Sequence, residues 1–272
     1  MRKQDILTPI GLILGFGFVL YGISIGDTGL SAFISMSSLA ITVGGSFSAL
    51  LITYSLDEIK LLFRMTIKSF TVNKISREDV IFDFKDLIRK SRVEGLLSLE
   101  EELEVIEDDF FKKGIELVID GIDESTIRSI LTMKIKESER KYEKAAKIYK
   151  TWGSYAPAFG MIGTLIGLIQ MLADLQSPEV IASGMANALI TTFYGALLAN
   201  MILMPLGFNL QAKARNEVDY KEMVAVGVLS LKNGESMSII EDKLINFLNE
   251  KEKNRYFSNL SQYDKGVSSY AQ

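Results

Sequence analysis

The sequence contains 272 residues, of which 48% are hydrophobic, and carries a formal net charge of −4 with a mean hydropathy of +0.20. Cysteine and histidine are absent, which excludes disulfides, thiol nucleophiles, zinc sites and the commonest general base. No P-loop or dinucleotide-binding glycine pattern occurs. The composition therefore predicts a protein that is not an enzyme, with no cofactor, no metal site and no nucleic-acid partner.

Four long windows contain no Asp, Glu, Lys or Arg: residues 6–26, 28–56, 151–173 and 180–212. About 20 apolar residues cross a bilayer core of about 30 Å, so each window is long enough to span a membrane. We predict an all-α membrane protein with four transmembrane helices in two hairpins. The predicted spans are about 6–26, 31–54, 151–173 and 182–208.

The distribution of basic residues predicts the orientation in the membrane. The two short hairpin connections, 26–29 and 174–179, contain acidic residues but no Lys or Arg, so all 30 basic residues lie elsewhere. Basic residues near span ends remain on the cytoplasmic side of a membrane. We therefore expect a multi-pass protein of the cytoplasmic membrane with both termini in the cytoplasm.

Residues 57–150, between spans two and three, form a charge-rich segment with helical spacing of apolar residues. Asp123 or Ser125 is placed to cap a long helix from about residue 124, because a side-chain oxygen there can accept a hydrogen bond from a free backbone N–H. No helix breaker separates this helix from span three. We predict a helical cytoplasmic domain that is continuous with the membrane hairpin.

The fourth span likewise continues as a polar helix to about Lys232, where Asn233 and Gly234 predict a turn. A short amphipathic helix follows. Residues 211–272 are thus predicted to form a helical cytoplasmic tail. The last ~20 residues are polar, and we expect them to be disordered.

Small residues recur along spans three and four: Gly160, Gly163 and Gly167 in the third, and Gly184, Ala188, Gly195 and Ala199 in the fourth. Such spacing lets helix backbones approach closely in lipid. It predicts close packing within the chain, against a neighbouring subunit, or both. Pro157 and Pro205 lie toward the cytoplasmic side of the two spans, and each removes a backbone donor. They are either tolerated kinks or hinge elements.

Three threonines are predicted at one depth of the second hairpin: Thr164 in span three, and Thr191 and Thr192 in span four. A threonine hydroxyl usually bonds its own helix carbonyl, but it also supplies a neutral oxygen that suits Na⁺ or a bridging water. No predicted span contains an ionisable side chain, and a proton relay needs a group that titrates. If this chain acts on ions, a partner must supply the carboxylate.

Several segments, in this order and spacing, resemble the A subunit of the bacterial flagellar stator, the MotA/PomA family. They are KSRVEGLLSLE (90–100), VIDGI (118–122), YAPAFG (155–160), TFYGALLA (192–199), PL (205–206), GVLSL (227–231) and NG (233–234). The resemblance covers nearly the whole chain. It implies an ion-driven stator subunit for motility, which couples ion flow across the membrane to torque.

The resemblance also implies partners and roles. A ring of five A subunits surrounds two single-span B subunits, similar to MotB or PomB, which carry the membrane aspartate and a peptidoglycan-binding domain. The positions of Arg92 and Glu100 are implied to contact the rotor switch-complex protein, and those of Pro157 and Pro205 to couple conformational changes. Sodium-driven relatives tend to have threonine at the position of Thr164, so we favour Na⁺ over H⁺ as the transported ion.

Two alternatives stay open. An energy-transducing subunit of the ExbB/TolQ type shares the second hairpin and the ring, but usually has one span before its cytoplasmic domain, whereas two are predicted here. A membrane scaffold without a transport role belongs to another functional class. Co-purification of a single-span partner with a membrane aspartate would discriminate against the scaffold.

Overall fold

The computed structural model describes residues 7–26, 29–71 and 76–270, which contain helices and no strand. In chain order the helices are α1 (Leu7–Ser24), α2 (Leu30–Thr53), α3 (Leu56–Thr71), α4 (Arg77–Glu94), α5 (Asp109–Ile119), α6 (Glu124–Ala173), α7 (Pro178–Lys232), α8 (Met237–Ile245) and α9 (Glu250–Tyr270). A 3-10 helix, Leu96–Glu104, connects α4 to α5. The chain forms two compact units, Met1–Asn73 with Lys141–Lys213 and Lys74–Arg140 with Ala214–Gln272. The all-α class is confirmed.

Four described helices are long and apolar enough to cross a membrane, namely α1, α2 and the apolar parts of α6 and α7. Helices α1 and α2 begin and end within two residues of the first and second predicted spans, and α6 ends at Ala173, where the third predicted span ends. The fourth helix begins at Pro178 rather than near residue 182, because Ser177 caps it by accepting the Val180 N–H at 3.4 Å. Where the membrane begins and ends along α6 and α7 stays a prediction.

Helix α2 is apolar but irregular. Its turns pass from a 3-10 segment, Leu30–Phe33, through Met36–Leu39 to a π-helical segment, Ala40–Gly44, and end in the regular helix Gly45–Thr53. A π segment closes hydrogen bonds one residue further along the chain than an α-helix does, and such segments occur frequently at functional sites. Helix α7 contains a second one, Leu198–Leu203.

The second unit has an apolar core built from α4, α5, α8 and the polar ends of α6 and α7. Close helix approach at two glycines makes this core compact. A β-carbon at Gly114 would lie 2.7 Å from Val228 Cγ2, and one at Gly227 would meet the ring of Phe84. Phe84 also packs on Phe111, with 4.7 Å between the ring centroids. The helical domain predicted between spans two and three therefore folds together with residues from the C-terminal part of the chain.

The predicted start of the long helix is confirmed at Asp123. Its carboxylate accepts the Thr126 N–H at 3.0 Å and the Ser125 hydroxyl at 2.5 Å. The Ser125 and Thr126 hydrogen bonds lower the pKa of Asp123 to about 2, since they favour the charged form. The predicted turn after Lys232 is also present, with Gly234 at a φ of 65° that an L side chain rarely adopts.

The C-terminal segment differs from the prediction of disorder, because residues 250–270 form helix α9. Tyr256 is fully buried, stacks on Phe82 with ring centroids 5.1 Å apart, and donates a 2.5 Å hydrogen bond to Glu241. Its neighbour Arg255 lies 3.0 Å from the buried carboxylate of Glu78. These two side chains anchor a segment whose average composition is polar.

Candidate functional site

The second hairpin brings Thr164 of α6 and Thr192 of α7 together, as predicted. Their hydroxyl oxygens are 2.5 Å apart, and each lies 3.2 Å from the carbonyl oxygen of Ala188. Thr164 also reaches the carbonyl of Gly160 at 3.1 Å. Two hydroxyls supply two protons and four lone pairs, so the mutual bond and one bond to a carbonyl use both protons, and oxygen lone pairs remain. Thr192 is exposed and Thr164 half-buried on this face of the protomer.

Thr191 does not share the hydrogen bonds of this pair. It is 1% exposed, and its hydroxyl lies 2.9 Å from Ser38 Oγ of α2 and 2.6 Å from the Asn187 carbonyl. The structure therefore separates Thr191 from the Thr164–Thr192 pair, and a role for Thr191 in the ion pathway stays a prediction. Adjacent residues of an α-helix point about 100° apart, so only one of Thr191 and Thr192 can face Thr164.

Thr191 contacts a buried hydroxyl seam of α2 that was not predicted from the sequence. We define the seam as Ser38, Thr42 and Ser46, which are all at most 1% exposed. Thr42 donates to the Thr191 carbonyl at 3.4 Å, and Ser46 accepts the indole N–H of Trp152 at 3.0 Å. The spacing of these hydroxyls, four residues apart in an apolar window, could have indicated the seam. Each of them has a hydrogen-bond partner on a neighbouring helix, as polar groups in hydrocarbon require.

The predicted small residues pack α6 against α7 within the chain. A β-carbon at Gly195 would lie 2.7 Å from the Ala156 carbonyl oxygen and 3.2 Å from the Gly160 Cα atom. One at Gly163 would meet the side chain of Thr191, and one at Gly167 would lie 2.6 Å from the Gly184 carbonyl oxygen. Ala199 is 2% exposed. The described contacts of the glycines are therefore with the same protomer, which leaves the Thr164–Thr192 face uncovered by this chain.

The two prolines lie in different local structures. Pro157 lies inside the uninterrupted helix Glu124–Ala173, one turn before Gly160. Pro205 follows directly after the π segment Leu198–Leu203, and a cavity of about 580 Å³ opens beside it. The cavity is lined by Leu7, Thr8, Gly11, Leu12, Gly15, Asn200, Met201, Pro205, Leu206 and Asn209. A missing N–H, an irregular backbone and open space coincide near Pro205, and a hinge role for this residue stays a prediction.

The predicted rotor-contact residues are exposed in the second unit, and no hydrogen bond or ion pair joins Arg92 to Glu100. Arg92, in the last turn of α4, donates to the Glu235 carbonyl at 3.0 Å. Lys90, not predicted as a site residue, holds the 3-10 segment against α4 through Glu101 at 3.0 Å and Glu102 at 2.8 Å. These carboxylates raise the pKa of Lys90. Glu100 is left free to meet a partner.

The chemistry available within the hairpin is that of neutral oxygens. The four apolar windows contain no titratable carboxylate or amine, and the described residues contain no cluster of three or more acidic side chains able to hold a metal ion. Hydroxyl and carbonyl oxygens can replace part of an ion's hydration shell, but they cannot accept and release a proton near neutral pH.

Comparison with known proteins agrees with these features. The model of the MotA/TolQ/ExbB proton channel family matches residues 102–223. Motility protein A of Borreliella burgdorferi is 39% identical over 257 residues, which cover 94% of this chain and 99% of that protein. Chemotaxis protein PomA of Vibrio alginolyticus is 34% identical, with 91% of this chain and 96% of that protein covered.

A solved structure has the same fold. A chain in the flagellar MotAB stator complex from Bacillus subtilis superposes with a TM-score of 0.83 and 31% sequence identity, covering 91% of this chain and 97% of that one. The four apolar helices and the family together make this chain a membrane protein. It belongs to the MotA/TolQ/ExbB proton channel family and is a homologue of Motility protein A over more than nine tenths of its length.

Proposed function

We propose that this chain is the A-type subunit of a flagellar motor stator, which couples ion flow across the cytoplasmic membrane to torque on the rotor switch complex. Five copies would form a ring around two single-span B subunits of the MotB or PomB type. The observation that carries the proposal is the second hairpin, whose apolar windows contain no carboxylate or amine and yet leave the hydroxyls of Thr164 and Thr192 on a face that its own helices do not cover. Similarity to Motility protein A over nearly the whole chain supports it.

The ion pathway is proposed to run along the Thr164–Thr192 face, past an aspartate supplied by the B subunit. The threonine pair offers oxygens for partial dehydration of a cation, which favours Na⁺ over H⁺ as the transported ion. Thr191 has its own interhelical partners and acts in positioning α7 against α2. Both termini are proposed to lie in the cytoplasm, and no enzymatic activity or cofactor is expected.

Pro157 and Pro205 are proposed to couple ion passage to a conformational change of the chain. One charge that crosses the membrane releases about 2.3 kcal/mol per 100 mV, which is enough to shift the balance between two packings of the hairpin. The π segment and cavity beside Pro205 give α7 room to bend. In the second unit, Arg92 and Glu100 are exposed and are proposed to contact the rotor.

Swimming speed measured against external Na⁺ at fixed pH, in cells that depend on this chain, tests the proposal. Thr164→Ala should raise the Na⁺ concentration needed for half-maximal speed severalfold, whereas Thr164→Ser, which keeps the hydroxyl, should retain most of the sodium response. Ser48→Ala is the matched control, because Ser48 is an exposed hydroxyl of α2 that bonds only its own helix, at the Gly44 carbonyl.

The outcomes separate the two parts of the proposal. Swimming that persists without Na⁺ and is unchanged by Thr164→Ala would refute the assignment of sodium but leave the stator function in place. A chain that purifies as a monomer, without a single-span partner carrying a membrane aspartate, would refute the stator function and favour a scaffold. Restoration of outer-membrane transport rather than of swimming would favour the ExbB/TolQ alternative.

A further inference from the structure

Helix α3 follows the second span almost directly. The span ends at Tyr54, whose backbone is extended with φ −127° and ψ 146°, and α3 begins two residues later at Leu56. Ser55 and Glu58 form a capping box, since the Glu58 carboxylate accepts the Ser55 N–H at 2.7 Å and Ser55 Oγ accepts the Glu58 N–H at 3.4 Å. The chain therefore leaves the membrane-spanning helix and at once starts a new helix at the end of the span.

One face of α3 packs inside the first unit. Ile59, Leu62 and Met65 are at most 6% exposed. Glu58 forms an ion pair with Lys144 of α6 at 2.7 Å, and this contact together with the capping box lowers its pKa to about 2. These contacts fix the rotation of α3 about its own axis, and so they determine which side chains remain outside.

The outward face of α3 carries an apolar stripe, which we define as Leu56, Phe63 and Ile67. These side chains are 67%, 49% and 65% exposed. Their spacing of seven and four residues places them in one line along a helix. Such a line of exposed apolar side chains is unfavourable in water.

Two basic residues lie beside the stripe, both on the same side of it. At 100° per residue, Lys60 lies about 40° from Leu56 on the side away from Phe63, and Arg64 lies about 40° further round the helix. Lys60 is 74% exposed and only 3.7 Å from Asp57, while Arg64 has no ion-pair partner in the described part of the chain. Both line an open cleft of about 510 Å³, which Lys144 also lines. The acidic residues at the cleft are Asp57 and Glu58, and Lys144 already neutralises Glu58.

We propose that this outward face of α3 is a docking surface for anionic phospholipid at the cytoplasmic leaflet. The apolar stripe enters the boundary between acyl chains and headgroups, and Lys60 and Arg64 bind the lipid phosphates. Continuity with the span that ends at Thr53 places α3 at the membrane surface, and amphipathic helices with basic residues beside an apolar face bind this environment. The proposal goes beyond the stator function and does not depend on which ion is transported.

The absence of cysteine makes a direct test simple, because Phe63→Cys creates the only thiol in the chain. The full-length protein, labelled there with a fluorophore and reconstituted in vesicles, is titrated with brominated phosphatidylglycerol or brominated phosphatidylcholine as quencher. Quenching reports contact with each lipid. Ile67→Cys gives a second reporter on the same stripe, and Val93→Cys, 79% exposed in the second unit, gives a control position.

We expect both stripe reporters to be quenched more strongly by the anionic lipid. Each basic side chain near an anionic surface contributes roughly fivefold in association, so Lys60→Gln with Arg64→Gln should remove most of the preference for phosphatidylglycerol. Lys134→Gln with Lys136→Gln removes the same charge from exposed positions of the second unit and should change nothing. High salt should mimic the Lys60 and Arg64 substitutions, because it screens exposed charges.

Three outcomes would overturn the proposal. Equal quenching by the two lipids would remove the role of the anionic headgroup. If the preference for phosphatidylglycerol survives loss of both Lys60 and Arg64, other residues bind the anionic headgroup. Protection of both stripe reporters from lipid, with crosslinking between copies through the same cysteines, would show that a second protomer covers the stripe instead.

Discussion

Substitution of Gly195 by alanine tests the close contact between α6 and α7. The added β-carbon would lie 2.7 Å from the Ala156 carbonyl oxygen, and 3.2 Å from the Cα atoms of Gly160 and Pro157. All three neighbouring atoms belong to the backbone, so no side-chain rotation relieves the contact. The two helices must separate by several tenths of an ångström, at the level of the hairpin where Pro157 lies.

The expected cost follows from two opposing effects. Overpacking in a well-packed interior costs about 1–3 kcal/mol. Alanine is favoured over glycine within a helix by roughly 0.5–1 kcal/mol, which offsets part of this. We therefore expect Gly195→Ala to lower the free energy of unfolding by about 1–2 kcal/mol. Swimming speed should fall by more than the loss of folded protein explains. The shift also displaces the Thr164–Thr192 pair, which lies one helical turn from Gly195.

The measurement is thermal unfolding of the detergent-purified protein, followed by circular dichroism, alongside swimming speed in complemented cells. Gly17→Ala in α1 is the matched control, since a β-carbon there has no atom within 4 Å. Gly17→Ala should leave the unfolding temperature unchanged or raise it slightly. If Gly195→Ala unfolds at the same temperature as Gly17→Ala and supports normal swimming, the backbone contact is not as close as described and the reasoning fails.

Two further predictions concern the second unit. Lys85 is a buried cation, with its side chain 7% exposed and its ammonium 2.9 Å from Glu241. Glu241→Gln should therefore destabilise the protein by about 3–5 kcal/mol, since it removes the carboxylate that pairs with this buried charge. Lys85→Met with Glu241→Gln should recover most of that loss in thermal unfolding, because it keeps an acceptor for Tyr256. A double variant no more stable than the single would contradict this account. Asp123→Ala should lower the melting temperature and Asp123→Asn should largely preserve it. Because the folded-state pKa of Asp123 is lowered from 3.8 to about 2, its stabilising effect is complete above pH 4 and is lost as the pH falls toward 2. An Asp123→Ala deficit that stays constant across this range would show that the carboxylate charge is not involved.

The spans and the long helices were predictable because their signals are local. A charge-free window of about 20 residues has few alternatives to a membrane helix, and Asp123 caps through atoms only three residues away. The rotation of a helix about its own axis was harder to predict from the sequence. Thr191 and Thr192 are identical neighbours in the sequence, and only the packing of Thr191 against Gly163 and Ser38 determines that Thr192 is the one that faces Thr164.

Features that depend on distant residues were missed for the same reason. The π segments of α2 and α7 arise where hydroxyls and a proline must be accommodated between packed helices, and no local propensity marks them. Helix α9 has a polar composition that suggested disorder. Its order depends on one fully buried side chain, Tyr256, whose contacts with Phe82 and Glu241 join positions far apart in the sequence.

Helix α1 differs from the other spans in having no buried residue. Gly195 and Thr192 are constrained by specific neighbouring atoms, whereas most side chains of α1 face lipid or space. The free energy that holds such a helix in place comes mainly from its transfer out of water, to which any sufficiently apolar residue contributes. Along most of α1, length and hydropathy are therefore what mutation must preserve, whereas Gly15 is constrained as the glycines of α6 and α7 are, because a β-carbon there would lie 2.6 Å from Met201 Cε.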